Sequence, residues 1–347
     1  MTVAAEDQAP RPFIERLLPA PVDGGFRMEE YWIWCGSVVR AEDRRYHMFA
    51  SRWPRRLRFG PHWLTNSEVV QAVADRPEGP FEFRRVVLPA RGEHYWDGRM
   101  SHNPTIQRSG DTYLLFYTGS TFRGPTPTPA SPARSGTPMI LEARANQRIG
   151  LATSKSIDGP WARLDHPILE PRPGRWDALM TTNPAPCLLP DGGVHLLYKS
   201  ARDHGDRLRI GVARADLTEG PYERAKDEEL FEFPDPADHV EDAYVWRDAS
   251  RFELLMKDMS GGISGEKGAG VHATSRDGID WAISRPPKAY SLTIAFDDGS
   301  RRTLARVERP QLLMERGRAR MLYVAVAASG PTTQIAGAWN QPIPVRG

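Results

Sequence analysis

The chain has 347 residues, enough for one large core or two ordinary ones, and its 46 basic and 44 acidic residues nearly cancel to a net charge of +2. That balance argues against a nucleic-acid or membrane-surface protein, although the arginines can still line a local anionic site. Hydrophobic residues at 40% argue against disorder despite 31 prolines and 30 glycines, and no apolar run approaches the ~20 residues that span a bilayer.

Residues 1–20 hold acidic residues and prolines but neither a basic n-region nor an apolar h-region, so no signal peptide is expected. Residues 1–26 read as an extension ahead of the first strand, and 27–340 as a single domain. Within that domain three kinds of segment recur. The first is a β-prone run with a polar or acidic head: Trp32–Val39, Ser101–Gln107, Thr181–Leu189, Glu241–Trp246 and Glu308–Met314. The second follows a short polar turn and is apolar and aromatic: Tyr46–Ser51, Tyr113–Gly119, Val194–Ser200, Phe252–Lys257 and Ala319–Ala325. The third is a small-residue strand running into a glycine turn and an aromatic, as in Ile149–Ser154 with Gly159-Pro160-Trp161 and Ile210–Ala215 with Gly220-Pro221-Tyr222. Val70–Asp75 and Val271–Ser275 begin two further copies.

The step from Ile149 to Ile210 equals the step from Ile210 to Val271. A constant repeat of roughly 60 residues, built from three or four short strands without a helical period, predicts an all-β, five-bladed β-propeller with antiparallel four-stranded blades around a central channel. One such sheet cannot bury both faces alone, so blades pack face to face and leave only short protected edges. The innermost strands then aim five heads into one funnel: Trp32 to Cys35, His102-Asn103, Asn183, Glu241-Asp242 and Glu308-Arg309. Adjacent strand residues face apart, so Asp242 is expected to point away from Glu241 or to lie at a bulge.

Residues 121–146 break the period. Their proline spacing favours extended, polyproline-like backbone, and a lid, a rim, an oligomer contact or plain disorder all fit a loop of this length. Cys35 and Cys187 lie inside apolar segments, which predicts buried free thiols and a reducing, cytoplasmic location. The histidines show no metal-ligand spacing, so no metal and no cofactor is expected. Gly261–Gly265 resembles a phosphate loop without its Lys-Ser/Thr ending and reads as a rim loop.

Several motifs together resemble the five-bladed propeller glycosidases, the superfamily of glycoside hydrolase families 43, 32, 68, 117 and 130, and most of all families 43 and 117. They are Trp34-Cys-Gly-Ser-Val with Phe49–Pro54, Ser101-His-Asn-Pro-Thr, Asn146–Gly150, Val240-Glu-Asp-Ala, Gly270–Gly278 and Glu308-Arg-Pro-Gln-Leu-Leu. The resemblance implies a glycoside hydrolase that removes a terminal sugar with paired carboxyl groups. Glu241 heads the strand that matches the family 43 acid strand. Cys35-Gly36 stands where that family carries its blade-one Asp-Pro, and Asn183-Pro184 stands where it carries the later one. Glu308, and behind it Asp97 and Asp177, are the carboxylates that can replace them; both aspartates follow a tryptophan, which predicts equivalent rim positions on consecutive blades.

The expected catalytic set is therefore Glu241, Glu308, Asp97 and Asp177. The expected substrate ligands are His102, Asn103, Asn183, Asp242, Arg309, Trp34, Arg148, His272 and Lys257, with head-capping or other structural roles as the competing reading for several of them. The expected partner is a small carbohydrate, without nucleic acid or membrane, and a homo-oligomer is compatible with the sequence. Two other readings stay open. One is a family 130-like phosphorylase, which a cluster of Arg, Lys and His in the funnel would favour; the other is a non-catalytic carbohydrate-binding propeller.

Overall fold

The computed structural model describes residues 11–248, 250–330 and 334–346. Its strands form five antiparallel blades, each meandering outward from the axis. Blade one is β1 (Tyr31–Arg40), β2 (Tyr46–Pro54), β3 (Glu68–Ala74) and β4 (Glu82–Leu88); blade two is β5 (Met100–Ser109), β6 (Thr112–Ser120), β7 (Arg148–Ser154) and β8 (Ala162–Arg163). Blade three is β9 (Thr182–Leu188), β10 (Val194–Ser200), β11 (Arg209–Ala215) and β12 (Glu223–Arg224). Blade four is β13 (Val240–Arg247), β14 (Phe252–Asp258), β15 (Gly270–Ser275) and β16 (Trp281–Tyr290). A hairpin of β17 (Thr293–Ala295) and β18 (Arg301–Thr303) leads into blade five, which is β19 (Arg306–Glu315), β20 (Arg318–Ser329) and β21 (Ile335–Pro344).

The outer position of blade five is filled from the other end of the chain. Phe26 and Asn340 exchange both backbone hydrogen bonds at 3.1 Å, Leu17 bridges Val345, and the Leu18 N–H donates to the Pro344 carbonyl at 2.9 Å. Residues 17–26, part of the stretch that reads as an extension on sequence grounds, thus pair with the last strand of the propeller. Asn340 adds a second link, because its Oδ1 accepts the Gly36 N–H of blade one at 2.8 Å.

Hydrophobic cores lie between each of the five pairs of neighbouring blades. Phe49 and Val69 meet Tyr113 and Leu115; Phe116 and Leu151 meet Leu196 and Tyr198; Leu197 and Val212 meet Leu254 and Met256. Leu255 and Tyr244 meet Leu322 and Val324, and Ile33 and Met48 meet Met321 and Tyr323. Each sheet is therefore covered on both faces, which is why its strands carry continuous apolar runs and not simple alternation. The glycine turns are equally constrained. Gly79, Gly159 and Gly220 have φ of 85°, 87° and 96°, and a Cβ on any of them would stand 2.9–3.2 Å from the backbone nitrogen of the following aromatic.

Residues 121–146 are not a bare loop. They contain a helix, α2 (Pro138–Ala145), which packs on α1 (Phe59–Asn66) through Phe122, Ile140, Ala143 and Leu64. The Ala133 N–H donates to His62 Nε2 at 3.1 Å, and Asn66 donates to the Pro127 carbonyl at 3.0 Å, so the insertion is tied to blade one at several points.

Asp97 and Asp177 occupy equivalent places on consecutive blades, as their sequence context predicts, but these are structural places. Asp97 is fully buried, accepts the Tyr117 hydroxyl at 2.6 Å and is gripped by Arg91 at 2.6 Å and Arg163 at 3.3 Å. Asp177 repeats the set with Tyr198 at 2.8 Å, Arg172 at 2.9 Å and Arg224 at 3.1 Å, and each preceding tryptophan stacks on the same tyrosine. Both carboxylates are saturated with protein donors, so neither is free to serve a ligand. Removing a partner from a buried ion pair costs about 3–5 kcal/mol. Asp97→Ala and Asp177→Ala should therefore each lower the free energy of urea unfolding by several kcal/mol; parent-like unfolding curves would remove their structural role.

Candidate active site

The five innermost strands break at the same place. Each ladder skips two residues beside a residue of positive φ: Cys35 (55°), Asn103 (51°), Asn183 (54°), Asp242 (59°) and Arg309 (54°). Asn and Asp tolerate this left-handed conformation because their short polar side chains bond locally, whereas Cys and Arg carry a cost of about 1–2 kcal/mol. The five side chains gather around the axis. The Cys35 thiol donates to Asn103 Oδ1 at 2.7 Å, the Asn103 amide donates to Asn183 Oδ1, and the Asn183 amide donates to Asp242 Oδ1 at 2.6 Å. Arg309 Nη1 stands 3.6 Å from the same Asp242 oxygen.

Above this ring opens a funnel lined by side chains from all five blades and from α1 and α2. One wall is aromatic: Trp34 and Trp53 pack with their rings 5.0 and 5.1 Å from Phe59, and Trp63 lies 5.1 Å from the His102 ring. The rest of the lining is charged, with Glu241, Asp242 and Glu308 beside Lys199, Arg306, Arg309 and, from α2, Arg144. The bulge explains why Glu241 and Asp242 share the funnel although they are neighbours on a strand: the left-handed turn at Asp242 cancels the usual alternation.

A lysine bridges the two glutamates. Lys257 Nζ donates to Glu241 Oε1 at 3.2 Å and to Glu308 Oε1 at 2.6 Å. Because one nitrogen bonds both, these oxygens lie no farther apart than the two bonds laid end to end, which is short of the ~6.5 Å where the separation typical of inverting glycosidases begins. Lys199 holds the other Glu241 oxygen at 3.0 Å, and Arg306 reaches Glu308 at 3.2 Å. Burial works to raise the Glu241 carboxyl, but Lys199 and Lys257 outweigh it and hold the group well below the usual carboxylate range. Asp242 moves the opposite way: burial, reinforced by the neighbouring Glu241 charge, pushes its carboxyl up against the pull of Lys199 and Arg309. Burial, with Arg309 and Lys199 nearby, drives His102 far below its ordinary value, so a neutral imidazole shares a hydrogen bond with Ser67 Oγ at 2.8 Å. The Cys35 thiol is pushed up by burial and stays protonated.

Of the residues expected from sequence, the fold brings Glu241, Glu308, His102, Asn103, Asn183, Asp242, Arg309 and Trp34 to the funnel, with Lys257 directly behind the glutamates. Two expectations, Arg148 and His272, need correcting besides the reading of the two aspartates. Arg148 is spent on Glu170 at 2.8 Å and on the Ala145 and Gln147 carbonyls, and does not line the funnel. His272 bonds Glu253 at 2.6 Å and stacks on Phe13 at 5.7 Å, because its third-kind strand lies far out in the blade. Gly261–Gly265 wraps the protein's own carboxylate, with the N–H groups of Gly261, Ile263 and Ser264 donating to Asp258.

The funnel also holds Lys199, Arg144, Arg306, Trp63 and Phe59, which sequence reasoning does not single out. Lys199 carries a usable signal, since it is the sixth residue of its second-kind strand, the position Lys257 holds in its own. Among the described residues no group of three or more His, Cys, Asp or Glu is arranged to hold a metal, and the Lys257 ammonium bridges Glu241 and Glu308.

No protein-family model and no curated protein matches the sequence. Solved structures do match the fold. A family 117 glycoside hydrolase, Zg3597 from the marine bacterium Zobellia galactanivorans, is 14% identical over 95% of this chain and 89% of its own, with a TM-score of 0.63. The catalytic domain of a GH62 α-L-arabinofuranosidase from Coprinopsis cinerea is 14% identical over 96% and 98%, with a TM-score of 0.62. A thermostable family-43 glycoside hydrolase is 13% identical over 95% and 97%, with a TM-score of 0.58. The chain thus has the five-bladed propeller fold of these glycoside hydrolases, and the funnel lies where its innermost strands converge.

Proposed function

We propose that the protein is a glycoside hydrolase that removes a terminal sugar bound in this funnel, with Glu241 and Glu308 as its working carboxylates. The observation that supports the reading is the placement of three carboxyl groups at the heads of blades four and five, in a funnel with an aromatic wall on which a sugar ring can stack. Their environments differ, and divergent environments are what separate acid from base in a site of like residues. Glu241, held ionised by two lysines, suits the group that meets the positive charge developing at the anomeric carbon. Asp242, buried among charges, is where the trio most readily keeps a proton, and Glu308 lies close enough to raise it further. Once substrate displaces Lys257, Glu308 takes up the proton given up by Asp242 and passes it to the leaving oxygen, which leaves Asp242 ionised until it regains a proton from water. The closeness of the two glutamates under a shared lysine favours retention of configuration, the outcome associated with the shorter carboxyl separation.

Screening aryl furanosides, aryl pyranosides and natural oligosaccharides should reveal turnover, and Glu241→Gln and Glu308→Gln should each reduce it by at least ~10²-fold. A glycan that binds parent and both variants equally and is never cleaved would point to a sugar-binding propeller instead. Product configuration read by NMR within the first turnovers should be retained; inversion would remove Glu308 and Glu241 as a nucleophilic pair. A proton-holding group must be protonated to work, so activity should fall as pH rises through the elevated Asp242 value. Residual activity of Asp242→Asn should lack that alkaline limb, because a carboxamide does not titrate.

A further inference from the structure

Two of the site's cations lack a hydrogen-bond partner among the described residues. Counting Lys257, five cations (Arg144, Lys199, Lys257, Arg306 and Arg309) meet three carboxyl groups, so positive charges are in excess by two even with Asp242 ionised. Lys199, Lys257 and Arg306 are committed to Glu241 and Glu308 at 2.6–3.2 Å. Arg309 is 2% exposed and lines the funnel, yet among the described residues none of its three guanidinium nitrogens has a hydrogen-bond partner, and Asp242 approaches no closer than 3.6 Å. Arg144 enters the same funnel from α2 and, among the described residues, makes no side-chain hydrogen bond or ion pair; burial lowers its affinity for its proton, with Glu241 opposing. A buried guanidinium with no acceptor is a costly arrangement that native structures resolve with a partner.

We infer that Arg309 and Arg144 form an oxyanion subsite, and that it takes the carboxylate of an acidic sugar such as a uronic-acid residue. The planar guanidinium fork matches a carboxylate in a bidentate pair, where a lysine offers only a point charge. Trp34, Trp53 and Trp63 line the same funnel and supply the stacking surface that a sugar acid needs and a free inorganic anion does not. The excess of positive charge also repels cations and draws anionic glycans toward the mouth. This inference rests on the reading of the funnel as a sugar site and names the substrate class it would select, a glycan ending in an acidic residue.

Calorimetric titration at fixed ionic strength tests it without requiring turnover. Glucuronate and galacturonate should bind at least about tenfold more tightly than glucose and galactose, and Arg309→Lys and Arg144→Ala should each weaken the uronates by roughly ten- to a hundredfold while leaving the neutral sugars unchanged. Should Arg309→Lys fail to fold, Arg144→Ala on the short helix α2 decides alone. Uronates that bind no better than neutral sugars, or an Arg144→Ala variant that titrates like the parent, overturn the subsite. Inorganic phosphate binding tightly while uronates do not overturns the sugar-carboxylate assignment in favour of a phosphate-using enzyme. A protein that binds uronates but cleaves nothing loses the hydrolase reading and keeps the subsite.

Discussion

The structure depends on how five strands approach one axis without colliding. Each solves the problem by the same local break, a two-residue bulge at a left-handed residue, and the residues so displaced, Cys35, Asn103, Asn183, Asp242 and Arg309, gather into one ring. That ring plugs the channel and becomes the floor of the funnel. At Asn103, Asn183 and Asp242 the left-handed backbone itself favours the residue type found there. The site's chemistry is therefore a by-product of closing the propeller: once polar residues stand at the bulges, the residue before the bulge can face outward into the funnel, as Trp34, His102, Glu241 and Glu308 do.

Charge organises the next layer. Two lysines from equivalent positions on blades three and four neutralise Glu241, and one of them also spans to Glu308 on blade five. Buried charges of this kind are tolerated only when paired, and among the described residues the pairing leaves the Arg309 and Arg144 guanidinium groups without a hydrogen-bonded partner. The same lysines keep Glu241 ionised, and burial together with the Glu241 charge raises the proton affinity of Asp242 beside it against the pull of Lys199 and Arg309. Neighbours in sequence thus differ in proton affinity because their surroundings differ.

The even spacing of Ile149, Ile210 and Val271 makes the blades and their heads legible, since period and strand order survive in one sequence. The side-chain directions are less so. Strand alternation predicts that Glu241 and Asp242 face apart; the bulge that defeats it leaves no signature beyond a head residue able to turn left-handed. The Trp-Asp pairs at Asp97 and Asp177 are recognisable as equivalent, but the arginines that bury them come from distant strands, Arg163 and Arg224, whose roles emerge only when β8 and β12 are folded against β7 and β11. Arg144 is hidden for another reason. Its short helix follows a proline-rich run that reads as extended chain, and it is stabilised by packing on α1, a contact with no sequence period.

The junction at blade five carries a consequence for how the molecule assembles. Asn340 meets Phe26 and Gly36 from the far end of the chain, so the ring cannot shut until both ends have been made and brought together. Loop-closure entropy rises only slowly with length, but contacts this remote in sequence slow the search for the native arrangement. Blades one to four can stack as the chain emerges, each on its predecessor, while the faces that end up against blade five stay uncovered. The propeller is in this sense an open arc that becomes a circle in a late event, and the seam beside β1 and β21 is where a destabilised molecule would be expected to come apart.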